Sequence, residues 1–211
     1  MIIAVDGPAA AGKGTLARAL AAHYGYHFLD TGSLYRMVAL AVLSLGQDPR
    51  DPQAATRAAE TLDPRSWTAE ALRDESVGQA ASIVAAFPPV RTALLALQRN
   101  FAAQKPGAVL DGRDIGTVVC PEAEAKIFVT ASPEVRARRR SAELAERGET
   151  VAYEDVLADI HERDARDRTR SFAPLVPAGD AHVLDTTDLD ISAAVAAAIR
   201  FVDSRVAKHS A

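Results

Sequence analysis

Hydrophobic and polar positions along the chain fall into two alternating patterns. Short, largely apolar runs at Ile2–Asp6, His27–Asp30, Ala108–Asp111, Lys126–Thr130 and His182–Asp185 predict strands. Between them lie longer amphipathic stretches that predict helices: Lys13–Tyr24, Ser33–Leu45, Gln53–Leu62, Ala69–Ala86, Val90–Ala103, Pro133–Arg147, Tyr153–Arg170 and Ile191–Ala207. Asp48-Pro49-Arg50-Asp51-Pro52, Asp63-Pro64 and Phe87-Pro88-Pro89 break the chain, because proline removes a donor and bars helix at the residue before it. Strand–helix alternation of this kind implies an α/β fold, with a central parallel five-stranded sheet in a three-layer arrangement. Residues 48–105 contain no predicted strand and read as a helical insertion between the second and third strands.

Composition changes this picture little. The 211 residues are 48% hydrophobic and 25% charged, ordinary for a globular protein with a core. Net charge is −4, which argues against bulk nucleic-acid binding through phosphates but not against a small phosphorylated ligand. One cysteine, Cys120, excludes an intrachain disulfide and a cysteine cluster for zinc. The five histidines show no paired metal spacing. No apolar run approaches the roughly 20 residues of a bilayer span, and the start of the chain lacks a basic segment before its first strand, so the expectation is a cytoplasmic protein with no membrane partner. Of 24 basic residues 20 are arginine, the residue best suited to grip phosphate with two parallel hydrogen bonds.

Chemistry enters at Gly7-Pro8-Ala9-Ala10-Ala11-Gly12-Lys13-Gly14-Thr15, between the first strand and the first helix. This is phosphate-binding-loop spacing, with one extra glycine between the lysine and the hydroxyl residue. Gly7 and Gly12 let backbone N–H groups approach phosphate oxygens, and the helix start directs its positive end at them. Lys13 can follow the β- and γ-phosphates, and Thr15 offers a hydroxyl to Mg²⁺. Asp111, ending a buried strand, either holds Mg²⁺, directly or through water, or serves only as the turn residue before Gly112. A GTPase-type Asn-Lys-x-Asp guanine signature is impossible, because Asn100 is the only asparagine.

Four further segments sharpen the picture: Leu29-Asp30-Thr31-Gly32-Ser33-Leu34-Tyr35-Arg36; Ala80-Ala81-Ser82 through Val90-Arg91; Asp111-Gly112-Arg113-Asp114-Ile115-Gly116-Thr117; and Arg163-Asp164-Ala165-Arg166-Asp167-Arg168-Thr169-Arg170 with Ala173-Pro174-Leu175-Val176-Pro177. With the loop, they resemble bacterial cytidylate kinases, a branch of the nucleoside monophosphate kinases, from Ile3 to about Asp188. The resemblance implies a core of residues 1–47, 106–135 and 171–211, a monophosphate-binding insertion at 48–105 and a small lid with flanking helices at 136–170. It implies transfer of the ATP γ-phosphoryl group to CMP, and to dCMP, with Mg²⁺, by a monomer. It assigns Thr31, Arg36 and Arg113 to the acceptor, the two arginines at its phosphate. It assigns Ser82, Arg91 and Asp114 to the cytosine edge with Arg170 nearby, Arg163 and Asp167 to the ribose, and Arg166 to the transferred phosphoryl group, making Lys13, Arg113 and Arg166 the catalytic set. Arg147-Gly148-Glu149 would be the lid turn. The small sheet that family members often carry in the insertion is missing or much reduced here. Kinases for UMP or a small metabolite, and a non-catalytic nucleotide-binding module, remain alternatives.

Overall fold

A computed structural model describes residues 1–68 and 70–209, in two compact units: Met1–Leu29 with Ala102–Ala211, and Asp30–Phe101. The first unit carries the sheet. Its strands β1 (Ile2–Asp6), β2 (His27–Asp30), β3 (Ala108–Gly112), β4 (Ala125–Thr130) and β5 (His182–Asp185) lie in the order β2-β3-β1-β4-β5. The pairs are parallel, with Asp6 opposite Gly112 and Phe128, and Thr130 opposite Asp185. All five predicted strands are present. β3 runs one residue further than expected and β4 starts one residue earlier, because Gly112 and Ala125 still find partners on β1.

Parallel strands need both faces covered, so β1 and β3 read as unbroken apolar runs. On one face Ile3, Val5, Val109, Ile127 and Val129 pack against Leu16, Ala17 and Leu20 of α1 (Lys13–Tyr24). Ala198 and Val202, from the last helix (Ile191–His209), complete that cluster. The strand period of two turns Ala4 and Asp6 to the other face. β1 is central, and neighbouring connections leave it in opposite directions. The carboxyl end beside it is therefore the topological switch point where open α/β sheets bind ligands.

The second unit holds α2 (Thr31–Ser44), α3 (Pro52–Glu60), α4 (Glu75–Val84) and α5 (Pro88–Ala102), with no strand among its described residues. Leu34, Tyr35, Val38, Ala39 and Val42 form the buried stripe of α2. The helix expected over Ala69–Ala86 is shorter. Ala69 lies outside the described residues, residues 71–73 form one 3₁₀ turn, and α4 begins at Glu75, where the Asp74 carboxylate caps it by accepting from the Ser76 N–H at 2.8 Å. α5 begins two residues before the predicted start, with Pro88 as its first residue, a position that needs no donor.

Between β4 and β5 of the first unit, α6 (Pro133–Glu146) and α7 (Tyr153–Thr169) pack on one another through Ala137, Leu144, Val156 and Ile160. The closing helix is α8 (Ile191–His209). No single helix among the described residues is long and apolar enough to cross a membrane.

Candidate active site

The loop after β1 is shaped by backbone contacts. Gly7 has φ 149°, and a Cβ there would lie 2.0 Å from the Val129 carbonyl oxygen, so any other residue would push β1 and β4 apart. Ala10 adopts a left-handed φ of 57°, a conformation costing roughly 1 kcal/mol in a residue with a Cβ. Gly12, also left-handed, leads into α1 with no side-chain cap, leaving the first amides of α1 free of intrahelical acceptors. That is the arrangement of a phosphate cradle. Lys13 is buried, its ammonium donating to the Pro8 carbonyl at 2.9 Å, so the charge is folded back over the loop.

Asp111 stands beside this helix start. A Cβ on Gly14 would lie 3.2 Å from Asp111 Oδ2, so the glycine between Lys13 and Thr15 makes room for the carboxylate. Thr15 is exposed on the same turn. No cluster of three metal-ligating side chains occurs among the described residues. One hydroxyl and one carboxylate fit Mg²⁺, which keeps water and phosphate oxygens as most of its ligands.

A cavity of about 810 Å³ opens at the loop, lined by Gly12, Thr15, Arg139, Arg140, Leu189 and Val195 among others. Its size and mixed lining suit a nucleotide. No motif in the chain marks it. Ile191–Val195 read as the start of the last helix, and Arg139 and Arg140 as two of 20 arginines. Arg139 donates to Thr186 Oγ1 at 3.0 Å and to the Thr186 carbonyl at 2.7 Å, and Thr186 Oγ1 donates to the Thr130 carbonyl at 3.1 Å.

Arg136 serves the structure from inside. It is 1% exposed and grips Asp164 with two bonds, at 3.0 and 2.6 Å. The same guanidinium donates to the Ala131 carbonyl at 3.0 Å and to the Ala9 carbonyl in the phosphate loop at 3.2 Å. It braces the loop from behind. The pairing spans 28 residues, which no local pattern could reveal.

A second cationic group forms around Asp167. Arg113, just beyond β3, donates from Nε to Asp167 Oδ2 at 2.9 Å, and Arg170 Nη1 lies 3.6 Å from Asp167 Oδ1. Burial alone would raise this carboxyl. The Arg113, Arg170 and Arg163 charges outweigh it and hold the group below the usual carboxylate range. Arg170 also donates to the Ala173 carbonyl, and Leu175 N–H to the Asp167 carbonyl at 2.8 Å, so the Ala-Pro-Leu-Val-Pro segment folds back on the end of α7. Arg163 is 3.6 Å from Asp159, and Arg166 pairs with Glu162 on the same helix. Asp114 is 4% exposed and opens a π-helical turn over Ile115–Val119.

The second unit brings its own predicted residues together. Thr31 is buried at the start of α2. Arg36 donates to the Leu72 carbonyl at 3.0 Å, and its guanidinium lies over Gly78, where a Cβ would be 3.1 Å from Nη1. Ser82 stands one turn beyond Gly78 on α4, on the same face. Arg91 is 5% exposed, sits 5.3 Å over the Tyr35 ring and donates to the Ala85 carbonyl at 3.0 Å. Near the start of α5, Arg91 is part of this unit's core.

A family model described as cytidylate kinase matches residues 3–204. A cytidylate kinase of Xanthobacter autotrophicus is 62% identical over 205 residues, 97% of this chain and 98% of that protein. One from Nitrobacter winogradskyi is 59% identical over 204 residues, 97% and 96% of the two chains. Among solved structures, an uncharacterized protein from Eubacterium ventriosum matches with TM-score 0.55 at 15% identity, covering 97% of this chain and 99% of that one. A gluconokinase from Sinorhizobium meliloti matches at 0.51 and 17%, covering 99% and 94%. At those identities the structures speak for the shared fold alone. The near-complete sequence matches go further: the chain belongs to the cytidylate kinase family.

Proposed function

We propose that this protein transfers the γ-phosphoryl group of ATP to CMP, and to dCMP, forming CDP or dCDP, in pyrimidine nucleotide metabolism. What carries the reading is the pairing of two cationic groups in one unit: the backbone cradle with Lys13, and Arg113 held on Asp167. The first suits a triphosphate and the second an incoming phosphate. ATP occupies the loop Gly7–Thr15, with its base and ribose in the adjoining cavity. Thr15 and Asp111 would hold Mg²⁺, which would supply charge neutralisation at the donor's phosphates.

CMP supplies its own nucleophile, a phosphate oxygen that is already anionic, so no general base is required. This fits a chain that acts by positioning and charge neutralisation. Arg113 grips the CMP phosphate through bidentate bonds; in the second unit, Arg36 is the arginine that the family resemblance offers for the same role. Asp114 accepts from the cytosine amino group; Ser82 and Arg91 are the second unit's candidates for base recognition. A uracil would turn a carbonyl toward the carboxylate, which disfavours it. Asp167, Arg163 and Arg170 serve the acceptor's sugar and neighbouring base, and Thr31 is a further candidate in the second unit. Arg166, released from Glu162, neutralises the transferred group. We read the enzyme as a cytoplasmic monomer.

The test is ADP release from ATP–Mg²⁺ with CMP, dCMP, UMP, AMP and GMP. CMP and dCMP should lead. A preference for UMP would sink the cytosine assignment, and no turnover with any would return the reading to a metabolite kinase or a binding module.

A further inference from the structure

Asp6 is the last residue of β1, directly before Gly7 of the phosphate loop. The strand period turns its side chain to the face shared with Ala4, away from α1 and α8. There it is 6% exposed and meets two backbone amides. Ile115 N–H donates to Oδ1 at 2.8 Å, and Gly116 N–H donates to Oδ2 at 2.7 Å.

Those amides open the π-helical turn over Ile115–Val119, so neither has an acceptor within it. Such turns are rare and recur at functional sites. The turn is closed by Val119 N–H donating to the Asp114 carbonyl at 3.1 Å and Cys120 N–H to the Ile115 carbonyl at 2.7 Å. Gly116 lets the backbone come this close. A Cβ there would lie 3.2 Å from Lys126 Cδ and 3.3 Å from Asp6 Oδ2. Lys126 has little room to yield, because its ammonium donates to Asp180 at 2.9 Å and to the Pro121 carbonyl.

The same residue acts on both sides of a two-residue stretch. Its backbone pairs in register with Gly112, and its carboxylate holds Ile115 and Gly116. Between those attachments lie only Arg113 and Asp114. We propose that Asp6 is a positioning residue for acceptor recognition: it clamps Arg113 and Asp114 relative to the phosphate loop, without touching substrate. This rests on the reading of Asp114 as the group that recognises the cytosine amino group.

The test compares wild-type enzyme with Asp6→Asn, Gly116→Ala and Asp114→Ala, reading kcat, the KM values for CMP and ATP, and the CMP:UMP ratio of kcat/KM. Asparagine keeps one acceptor and turns an NH₂ toward the second amide. Gly116→Ala crowds the same turn and leaves the Asp6 charge intact. Asp6→Asn should raise the KM for CMP and lower the CMP:UMP ratio by about tenfold, the scale of one base-edge hydrogen-bond pair. Gly116→Ala should move both in the same direction by a smaller factor, and the KM for ATP should move less than the KM for CMP. If Asp6→Asn yields no folded enzyme, Gly116→Ala carries the test. A uniform fall in kcat, with the CMP KM and the ratio at wild-type values, would show a merely structural role and overturn the proposal. An Asp114→Ala enzyme with the wild-type ratio would overturn the base reading itself, and the proposal with it. Asp114→Ala losing the ratio while Asp6→Asn and Gly116→Ala keep it would overturn the proposal alone.

Discussion

At the phosphate loop the positive field comes from the main chain. Amides of Ala10–Thr15 and the start of α1 supply it, and Lys13 adds one mobile charge. Around Asp167 it comes from side chains, with Arg113 and Arg170 gathered on one carboxylate. Each region has a buried aspartate, and the two behave oppositely. Asp6, beneath the loop, is pushed up to about 6: burial raises it, the Gly116 and Ile115 amides pull it back, the Asp114 charge raises it further and Lys13 lowers it. Asp167 is held low because the guanidinium charges outweigh its burial. Backbone dipoles tolerate a buried carboxylate; guanidinium groups fix it in the ionised form, ready to orient them.

The largest effect should come from the one mobile charge of the loop. Lys13→Ala should lower kcat by about a thousandfold or more while thermal unfolding stays near wild type, since electrostatic positioning supplies most of the rate in phosphoryl transfer. Near-normal kcat in that variant would mean that the main-chain cradle suffices alone. Next is the brace shared by the loop and the α6–α7 pair. Arg136→Ala leaves Asp164 buried without its bidentate partner and should cost about 3–5 kcal/mol in denaturant unfolding. A loss under about 1 kcal/mol would show the pair to be weak, in the manner of surface ion pairs.

The aspartate contrast gives a pH signature. Asp6 has a higher pKa folded than unfolded, so the native state holds the extra proton between about pH 4 and 6. Its contribution to stability therefore falls as pH rises through that window, by up to about 3 kcal/mol. Asp167 has the opposite sign. Its contribution is present above the ordinary aspartate pKa and is lost as pH falls below about 4. Unfolding of wild type, Asp6→Asn and Asp167→Asn across pH 3–7 should show wild type losing ground to the first variant between pH 4 and 6. It should show wild type gaining on the second as pH rises from 3. Parallel curves would erase the distinction. The smallest effect expected is from Arg113→Lys, which keeps charge and loses the fork. kcat/KM for CMP should fall about ten- to a hundredfold, with the KM for ATP little changed.

What could be read from the chain divides along the same line. The loop was legible because its parts are contiguous: a strand, two glycines, a lysine and a helix start have to follow one another for backbone amides to converge. The five strands were legible because a parallel sheet covered on both faces forces apolar runs. Arg136 was not, since its sequence context matches that of Arg138, Arg139 and Arg140, and only the fold brings Asp164 and Ala9 to it. Nor was Asp6, which looks like an ordinary strand-end acid until Ile115 and Gly116 arrive from 109 and 110 residues away. The helix start at Glu75 was missed because alanine-rich sequence hides a boundary that the Asp74 cap sets. Arg36, Ser82 and Arg91 enter as candidates through family resemblance alone. Their helical surroundings carry no local mark of phosphate or base recognition.

If the two cationic regions pass a phosphoryl group from one nucleotide to another, ATP labelled in the γ-phosphate should hand its label to CMP. The label should appear in CDP, with wild-type enzyme far ahead of Lys13→Ala and CMP ahead of UMP. Label found only in inorganic phosphate, or transferred to another monophosphate in preference to CMP, would contradict it.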